Sequence, residues 1–520
     1  MTDELTRQLL DAVVAQPEED APRLVYADHL QQQGAPRGEF IAVQVALAAE
    51  PESPHRDALA ARARDLLRQH GGKWRSELRL KRGEAGEFQR GFIEELSLNA
   101  RRFLTQGERL LTVTPFHRLN VSTAGAAEMQ ELAGSPLLSQ LTHLKLSHWV
   151  HNRSAVLLAD APHLSRLRSL DVSIMRLGGE NVCALVDSPR LPRLEKLNLT
   201  FNYLGVEGMR MLARCVGLSR LTTLNLWGNN LGDEGLRLLL ASPHLTRLTE
   251  LDLNNNDIGA EGAKALARAE GLGGLTLLNL TCNRVLPEGL RALATASWLA
   301  SLKKLELSYS YFNDEGLRAL ATNPYLAPLE ALVLHNNDFG DDGARALANS
   351  PYLTRLKVLD VSRNKRLGAE GLRALARSPI LASVENLSLD DTAVGPEGAR
   401  ALADATSCRR LRSLSLNKSG IGDEGVSALA RGLLFTELRS LSLSDCGMGD
   451  AGARALASCS LLSRLEWLVL EQNEIGLEGA RALAESPYLP RSLRLAMRGN
   501  TLLSDVRPVF KGRFDHKVTF

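Results

Sequence analysis

From Leu119 onward the chain repeats itself on a nearly fixed period, and that period constrains its fold more than any other feature. The stretch LTTLNLWGNNLGDEGLRLLLASPHLTR, Leu221 to Arg247, is followed by a second of the same length that begins LTELDLNNNDIGAEG. Aligned on the middle leucine of Leu-x-x-Leu-x-Leu, the units fall at Leu119, Leu144, Leu170, Leu197, Leu224, Leu251, Leu278, Leu305, Leu332, Leu359, Leu387, Leu414, Leu441, Leu468 and Leu495. The spacing is constant from Leu170 to Leu359 and again from Leu387 to Leu495. It is shorter by two and by one in the first two intervals, and longer by one between Leu359 and Leu387. The extra residue is placed at Lys365-Arg366, and IEELSLN (Ile93 to Asn99) reads as a degenerate opening unit.

Repeats of this length are single supersecondary modules that cannot bury their own apolar face and so stack into one continuous core. Within a unit, alternation sends Leu224 and Leu226 inward and Asn225 and Trp227 outward, as in a short strand. Asn229 then occupies a turn, where stacked amides satisfy backbone groups that strand pairing leaves open. The same slot holds Asn202, Asn256, Asn283, Asn337, Asn364, Asn473 and Asn500, and is taken by Ser310, Thr392, Ser419 and Cys446 elsewhere. Gly-Asp-Glu-Gly next starts a helix. Asp233 is expected to cap it and Glu234 to suit its positive end. Leu236, Leu239 and Leu240 give it an inward face, and Ser242-Pro243 ends it. The predicted fold is α/β: a curved solenoid with parallel strands on a concave face and helices on a convex one.

The recurring L-x-x-L-x-L-x-x-N and N-x-LGDEG...LA segments resemble the leucine-rich repeat, in a horseshoe solenoid. The repeat length is similar to that of the ribonuclease-inhibitor-like subclass, which includes the GTPase-activating protein for Ran and the sensor arrays of innate immune receptors. The resemblance covers Ile93 to Asn500. It implies a fold, whereas function must come from particular surfaces.

Three parts follow: residues 1–90, an array of about 15 or 16 units over 91–502, and a cap over 503–520. The first part is a small all-α segment. Its pieces RLVYADHL (Arg23 to Leu30), GAPRGEFI (Gly34 to Ile41) and HGGKW (His70 to Trp74) resemble the helical repeat-companion domain found ahead of repeat arrays in some bacteria, a family without an established activity. Tyr26, Asp28, Arg37 and Glu39 read as capping and ion-pair residues, because no nucleophile–base pair accompanies them. In the last part Val509, Phe510, Phe514, Val518 and Phe520 cover the terminal apolar edge that any such array exposes.

Signatures of chemistry are lacking. The sequence shows no phosphate loop, nucleophile elbow or zinc-protease motif, so no catalytic residue, cofactor or metal is expected. His143, His148 and His151 read as surface histidines, and the run LDDT (Leu389 to Thr392) as an exposed acidic loop rather than a calcium site. The six cysteines are Cys183, Cys215, Cys282, Cys408, Cys446 and Cys459; they form no C-x-x-C pair and read as small apolar fillers in a reducing compartment. Lys plus Arg number 62 against 60 Asp plus Glu, a balance that argues against a dedicated nucleic-acid binder. No apolar run approaches the ~18 residues of a membrane span, and the start MTDELTRQLL lacks a secretory pattern. A cytoplasmic monomer is expected.

The surface left free by the repeat is the concave one, made by residues one before, one after, and three and four after each middle leucine. The candidate partner-binding residues are Phe201, Trp227, Glu250, Asp252, Glu306, Tyr309, Tyr311, Val333, His335, Asp360, Asp390 and Trp467. Aromatics are only 5% of the chain, and exposed aromatics amid polar residues anchor protein interfaces. The expected function is a non-enzymatic scaffold for a protein partner. Two alternatives accompany it: a GTPase regulator similar to the Ran-activating protein, and a structural or ligand-sensing array in a larger assembly.

Overall fold

A computed structural model describes residues 2–50, 53–147, 152–501, 507–510, 513–514 and 518–519. The chain divides into two compact units, residues 1–229 and 230–520, so the division falls inside the repeat array.

The first unit opens with helices α1 (Thr2–Ala15), α2 (Asp20–Gln32), α3 (Pro36–Ala49) and α4 (Pro54–Glu77). An antiparallel hairpin, β1 (Phe88–Gln89) and β2 (Phe92–Ile93), follows. Leu10, Val13, Tyr26, Leu30, Ile41 and Val45 form a core with Phe92. Gly38 permits the close crossing of α2 and α3, since a Cβ there would lie 2.5 Å from the Ala27 carbonyl oxygen. The helices are tied to the repeats by a buried ion pair: the Arg23 guanidinium lies 2.7 Å from Glu94, both side chains being almost wholly excluded from solvent. A buried pair of this kind registers two elements, because losing either partner strands a charge.

Six parallel strands come next, in chain order: β3 (Glu95–Leu98), β4 (Arg118–Val121), β5 (His143–Leu146), β6 (Ser169–Asp171), β7 (Lys196–Asn198) and β8 (Thr223–Asn225). Leu96 pairs with Leu119, and each middle leucine then sits beside the next. The opening segment IEELSLN therefore supplies a true first strand. Helices α5 (Ala100–Leu111), α6 (Ala126–Gly134), α7 (Gly178–Val186) and α8 (Gly205–Leu212) lie between strands.

The second unit continues the pattern with helices α9 (Gly232–Leu240), α10 (Ala260–Ala267), α11 (Leu286–Leu293), α12 (Asp314–Ala321), α13 (Asp341–Ala348), α14 (Ala369–Arg377), α15 (Gly395–Ala403), α16 (Gly422–Arg431), α17 (Asp450–Ala457) and α18 (Leu477–Glu485). Its parallel strands run in order from β9 (Glu250–Asp252) through β10 (Leu277–Asn279), β11 (Lys304–Glu306), β12 (Ala331–Val333), β13 (Val358–Asp360), β14 (Asn386–Ser388), β15 (Ser413–Ser415), β16 (Ser440–Ser442), β17 (Trp467–Val469) and β18 (Arg494–Ala496) to β19 (Val518–Thr519). Near the end of the chain Phe510 and Phe514 are buried, and Arg513 donates to the carbonyls of Ala484, Ser486 and Leu489. Phe520 lies outside the described residues. No described helix is long and apolar enough to cross a membrane.

Two side-chain systems fasten one repeat to the next. The first is the asparagine ladder. The Asn283 amide Nδ2 donates to Leu253 O at 2.9 Å and Leu280 O at 3.0 Å, while its Oδ1 accepts from the backbone of Asn256 at 3.1 Å and Ile258 at 2.9 Å. Ser310 in the same slot offers one hydroxyl, which reaches Leu280 O at 3.3 Å. The smaller residue leaves fewer bonds available.

The second system corrects the expectation for Asp233. Asp233 does not cap its own helix. Its Oδ1 accepts from Gly259 N at 2.6 Å and Gly262 N at 2.9 Å, in the first turn of α10, one repeat onward. Asp314, Asp341, Asp423 and Asp450 do the same for the helices that follow theirs. The reason is positional: α9 begins at Gly232, so Asp233 already lies within the first turn and is past the cap position. The downstream backbone responds. Gly259, Gly340, Gly368, Gly449 and Gly476, each one repeat beyond such an aspartate, have φ of −97°, −122°, −112°, −105° and −96°. Where the upstream slot holds Ala369 or Pro396 instead, Gly395 and Gly422 turn left-handed, at φ 55° and 56°. Leu286, downstream of Ala260, is forced to φ 62° without being glycine.

Candidate partner-binding surface

The strand side is shaped by a turn that recurs after every strand. In many units the Asn or Asp one after the middle leucine accepts a hydrogen bond from the amide two residues on. Asp252 receives Asn254 N at 2.9 Å and Asp360 receives Ser362 N at 2.9 Å; Asn198 and Asn279 act likewise. Asp252 and Asp360, two of the three aspartates among the candidate residues, thus hold the turn as well as facing outward. Burial raises the Asp252 carboxyl above its usual range. Asp390 receives the Ser415 hydroxyl at 2.6 Å and Asn417 N at 2.8 Å.

Four residues after the middle leucine, the backbone is left-handed in unit after unit, with Ile174 at φ 62°, Phe201 at 52° and Tyr309 at 52°. This conformation costs a residue bearing a Cβ roughly 1–2 kcal/mol. It is held by a backbone hydrogen bond to the next repeat, the Phe201 N–H donating to Trp227 O at 2.8 Å and the Tyr309 N–H to His335 O at 2.9 Å. Bulky residues in this slot are displayed on a rigid turn.

In the first unit this slot and its neighbours display large apolar side chains. Ile174 is 51% exposed, Tyr203 57% and Trp227 38%. The half-buried Phe201 ring packs on Trp227 with centroids 5.2 Å apart. Gly228 makes room for it, since a Cβ there would meet the Phe201 ring at 2.3 Å. The Arg176 guanidinium sits 5.5 Å over the Tyr203 ring. Ile174 was not among the expected residues; its signal was the slot itself, read only where it held an aromatic.

The other candidate residues belong to the second unit. Tyr309 packs on His335 at 5.3 Å and accepts a hydrogen bond from Arg363 at 2.9 Å; Tyr311 is 64% exposed. Val333 and His335 are half-buried, and burial lowers the His335 pKa against the opposing pull of Asp360. Glu306 pairs with Lys304 at 2.5 Å, and Glu250 is half-buried on β9. Trp467, exposed, is covered on one face by the Arg494 guanidinium at 4.5 Å.

Elsewhere the polar groups serve structure. Tyr26 is buried, Asp28 exposed, and Glu39 pairs with Arg62 at 2.6 Å. The Arg37 guanidinium lies 4.9 Å over Trp74. His143 bonds the Thr142 hydroxyl at 2.8 Å, while His148, Trp149 and His151 lie outside the described residues. Among the described residues, no three His, Cys, Asp or Glu side chains are grouped as a metal site. A groove of about 930 Å³ opens on the helix side, lined by residues including Arg237, Leu240, Pro243, Lys264 and Arg268, and holds none of the candidate residues.

A family profile described as Leucine Rich repeat matches residues 191–213, 219–240, 244–267, 275–294, 299–321, 325–348, 352–376, 407–430 and 436–457. With the register above, the chain is a leucine-rich-repeat protein with a solenoid fold, preceded by a helical segment. No curated protein matches it in sequence. Among solved structures it is similar to that of the yeast Rad7 and Elc1 complex, at 16% identity and TM-score 0.46, covering 85% of this chain and 98% of that one. A leucine-rich-repeat protein of Leptospira interrogans aligns at 17% identity and TM-score 0.37, covering 82% and 95%. An internalin of Listeria monocytogenes aligns at 16% and 0.33, covering 70% and 87%.

Proposed function

We propose that the chain is a non-enzymatic interaction scaffold that holds a protein partner on its strand side, with Ile174, Phe201, Tyr203 and Trp227 as the anchor. The observation that carries this reading is the display of these four side chains on left-handed or hydrogen-bonded turns, with Gly228 leaving space for the Phe201 ring. A surface fixed before binding loses little conformational freedom on association, and Trp and Tyr are the residues most often found at energetic hot spots. Tyr309, Tyr311, Val333, His335 and Trp467, flanked by Glu250, Asp252, Glu306, Asp360 and Asp390, form a second contact region in this reading. Residues 1–90 act as a repeat-companion domain, 91–502 as the array of the ribonuclease-inhibitor-like subclass and 503–520 as its cap, in a cytoplasmic monomer that takes neither nucleic acid nor membrane as partner.

The test is affinity purification from native lysate with wild type and with Tyr203→Ala/Trp227→Ala, both of confirmed fold, followed by calorimetry with any protein the variant loses. Removal of two anchors is expected to cost at least about 2 kcal/mol, roughly a 30-fold weaker Kd. Retention of the same proteins with Kd unchanged within threefold would sink the assignment.

A further inference from the structure

Two repeats of the first unit depart from the pattern at positions that meet. The helix residue three after the conserved first-turn acid is usually basic and pairs with that acid: Arg210 with Glu207, Arg237 with Glu234, Lys264 with Glu261, Arg345 with Asp342, Arg481 with Glu478. On α7, Glu180 is followed instead by Cys183. One repeat on, the slot after the helix often holds a serine that bonds a carbonyl of the preceding repeat, as Ser378 does with Ala348 and Ser486 with Ala457. After α8 that slot holds Cys215. The two sulfurs lie 2.7 Å apart, with the Cys215 thiol donating to Cys183. Cys215 is buried; Cys183 is half-buried and reachable from solvent. The expectation that all six cysteines are apolar fillers does not hold for this pair, nor for the exposed Cys282.

We propose that Cys183 and Cys215 are a redox-sensitive dithiol that peroxide converts to a disulfide, stapling α7 to the repeat of α8. Less than about 1 Å of further approach separates the sulfurs from bonding distance. The hydrogen bond from Cys215 also draws the Cys183 thiol below its usual pKa, marking it as the sulfur that reacts first. The Cys183 thiolate attacks one peroxide oxygen, the O–O bond breaks, and the sulfenic acid forms with release of hydroxide. The Cys215 sulfur then attacks Cys183 Sγ; its proton and the departing hydroxyl leave as water, and two electrons in all have passed to the peroxide. The two joined repeats are those that present Ile174 and Phe201, but the chemistry stands whatever those residues bind.

The experiment treats the reduced full chain with a small excess of hydrogen peroxide at neutral pH and maps thiols by peptide mass spectrometry without reduction. A Cys183–Cys215 linked peptide, lighter by two hydrogens and reversed by dithiothreitol, is expected. Cys459 is the internal control: it occupies the Cys215 slot, but Ser427 stands where Cys183 would be, so it should stay a thiol. In Cys215→Ser, a substitution the repeat accepts at Ser378 and Ser486, Cys183 should pass on to the sulfinic acid. The proposal is overturned if wild type gives Cys183 sulfinate with Cys215 free, if neither thiol reacts before Cys459, or if Cys215→Ser leaves the fate of Cys183 unchanged.

Discussion

Replacing Asp233 by Ala should loosen a helix it does not belong to. The substitution removes one carboxylate oxygen that accepts from Gly259 N and Gly262 N, leaving the half-buried first turn of α10 without its acceptor. Removing an N-cap costs ~1 kcal/mol, and charge-assisted bonds raise that figure. Two bonds on a half-exposed carboxylate give about 2 kcal/mol in all. Hydrogen exchange read by mass spectrometry is the assay, because a repeat array loosens locally before it unfolds as a whole. Peptides covering Gly259 and Gly262 should exchange roughly 30-fold faster, the equivalent of that free energy. Peptides within Gly232–Leu240 should be unchanged. Asp233→Asn retains the acceptor and should show a smaller effect. Glu234→Ala removes an exposed pair with Arg237 and should cost under about 0.5 kcal/mol. Loosening of α9 instead of α10 would refute the cross-repeat cap and restore the ordinary one.

Three further outcomes are expected. Leu286→Gly relieves a left-handed leucine at φ 62° and should stabilise the protein by about 0.5–1 kcal/mol in urea unfolding, the glycine's own entropy cost being smaller than the strain removed; a loss would mean that the leucine side chain packs more tightly than its half-buried position indicates. Asn283→Ala strands the five backbone groups its amide serves and should cost about 3–5 kcal/mol, whereas Ser310→Ala, which removes one hydroxyl, should cost about 1 kcal/mol; equal losses would contradict the ladder. His117 is buried and its pKa is held down to about 3, first by burial and then by Arg118. A folded pKa below the unfolded value of about 6.5 means that the unfolded chain takes the proton first, so this contribution is intact above pH 7 and shrinks by about 2 kcal/mol by pH 5; His117→Gln should flatten the acid limb of the unfolding midpoint, and an unaltered slope would discount the histidine.

The strand, turn and helix of each repeat were legible because the leucine pattern repeats with the register that the strands adopt; Leu305 beside Leu332 follows from counting one period along the chain. The asparagine slot was equally readable, since a buried amide recurring at one position must serve the backbone. What escaped were contacts between repeats. Asp233 looks like an ordinary N-cap in its own unit, and only the stacking distance shows which amides it reaches. The same holds for Cys183 and Cys215, more than one repeat apart in the chain, and for Gly228, whose missing side chain makes sense only with Phe201 lying across it. At the candidate surface, Asp252 and Asp360 looked like free charges because a turn bond two residues away leaves no mark on composition.

The cross-repeat cap also changes where such a chain can be cut and rejoined. A segment excised at the edges of one sequence repeat takes away an aspartate and leaves the following glycine extended with nothing to accept its amide. Inserted elsewhere, the same segment hands its aspartate to a glycine already turned the other way. The interchangeable piece is therefore staggered: it runs from one helix start lacking an upstream aspartate to the next such start, Asn313 (downstream of Pro287 and capped by its own side chain) to Gly395 being one example and Gly395 to Gly422 another. Shortened or lengthened arrays built on those seams should keep every helix start as it is, while arrays built on the leucine period alone should not.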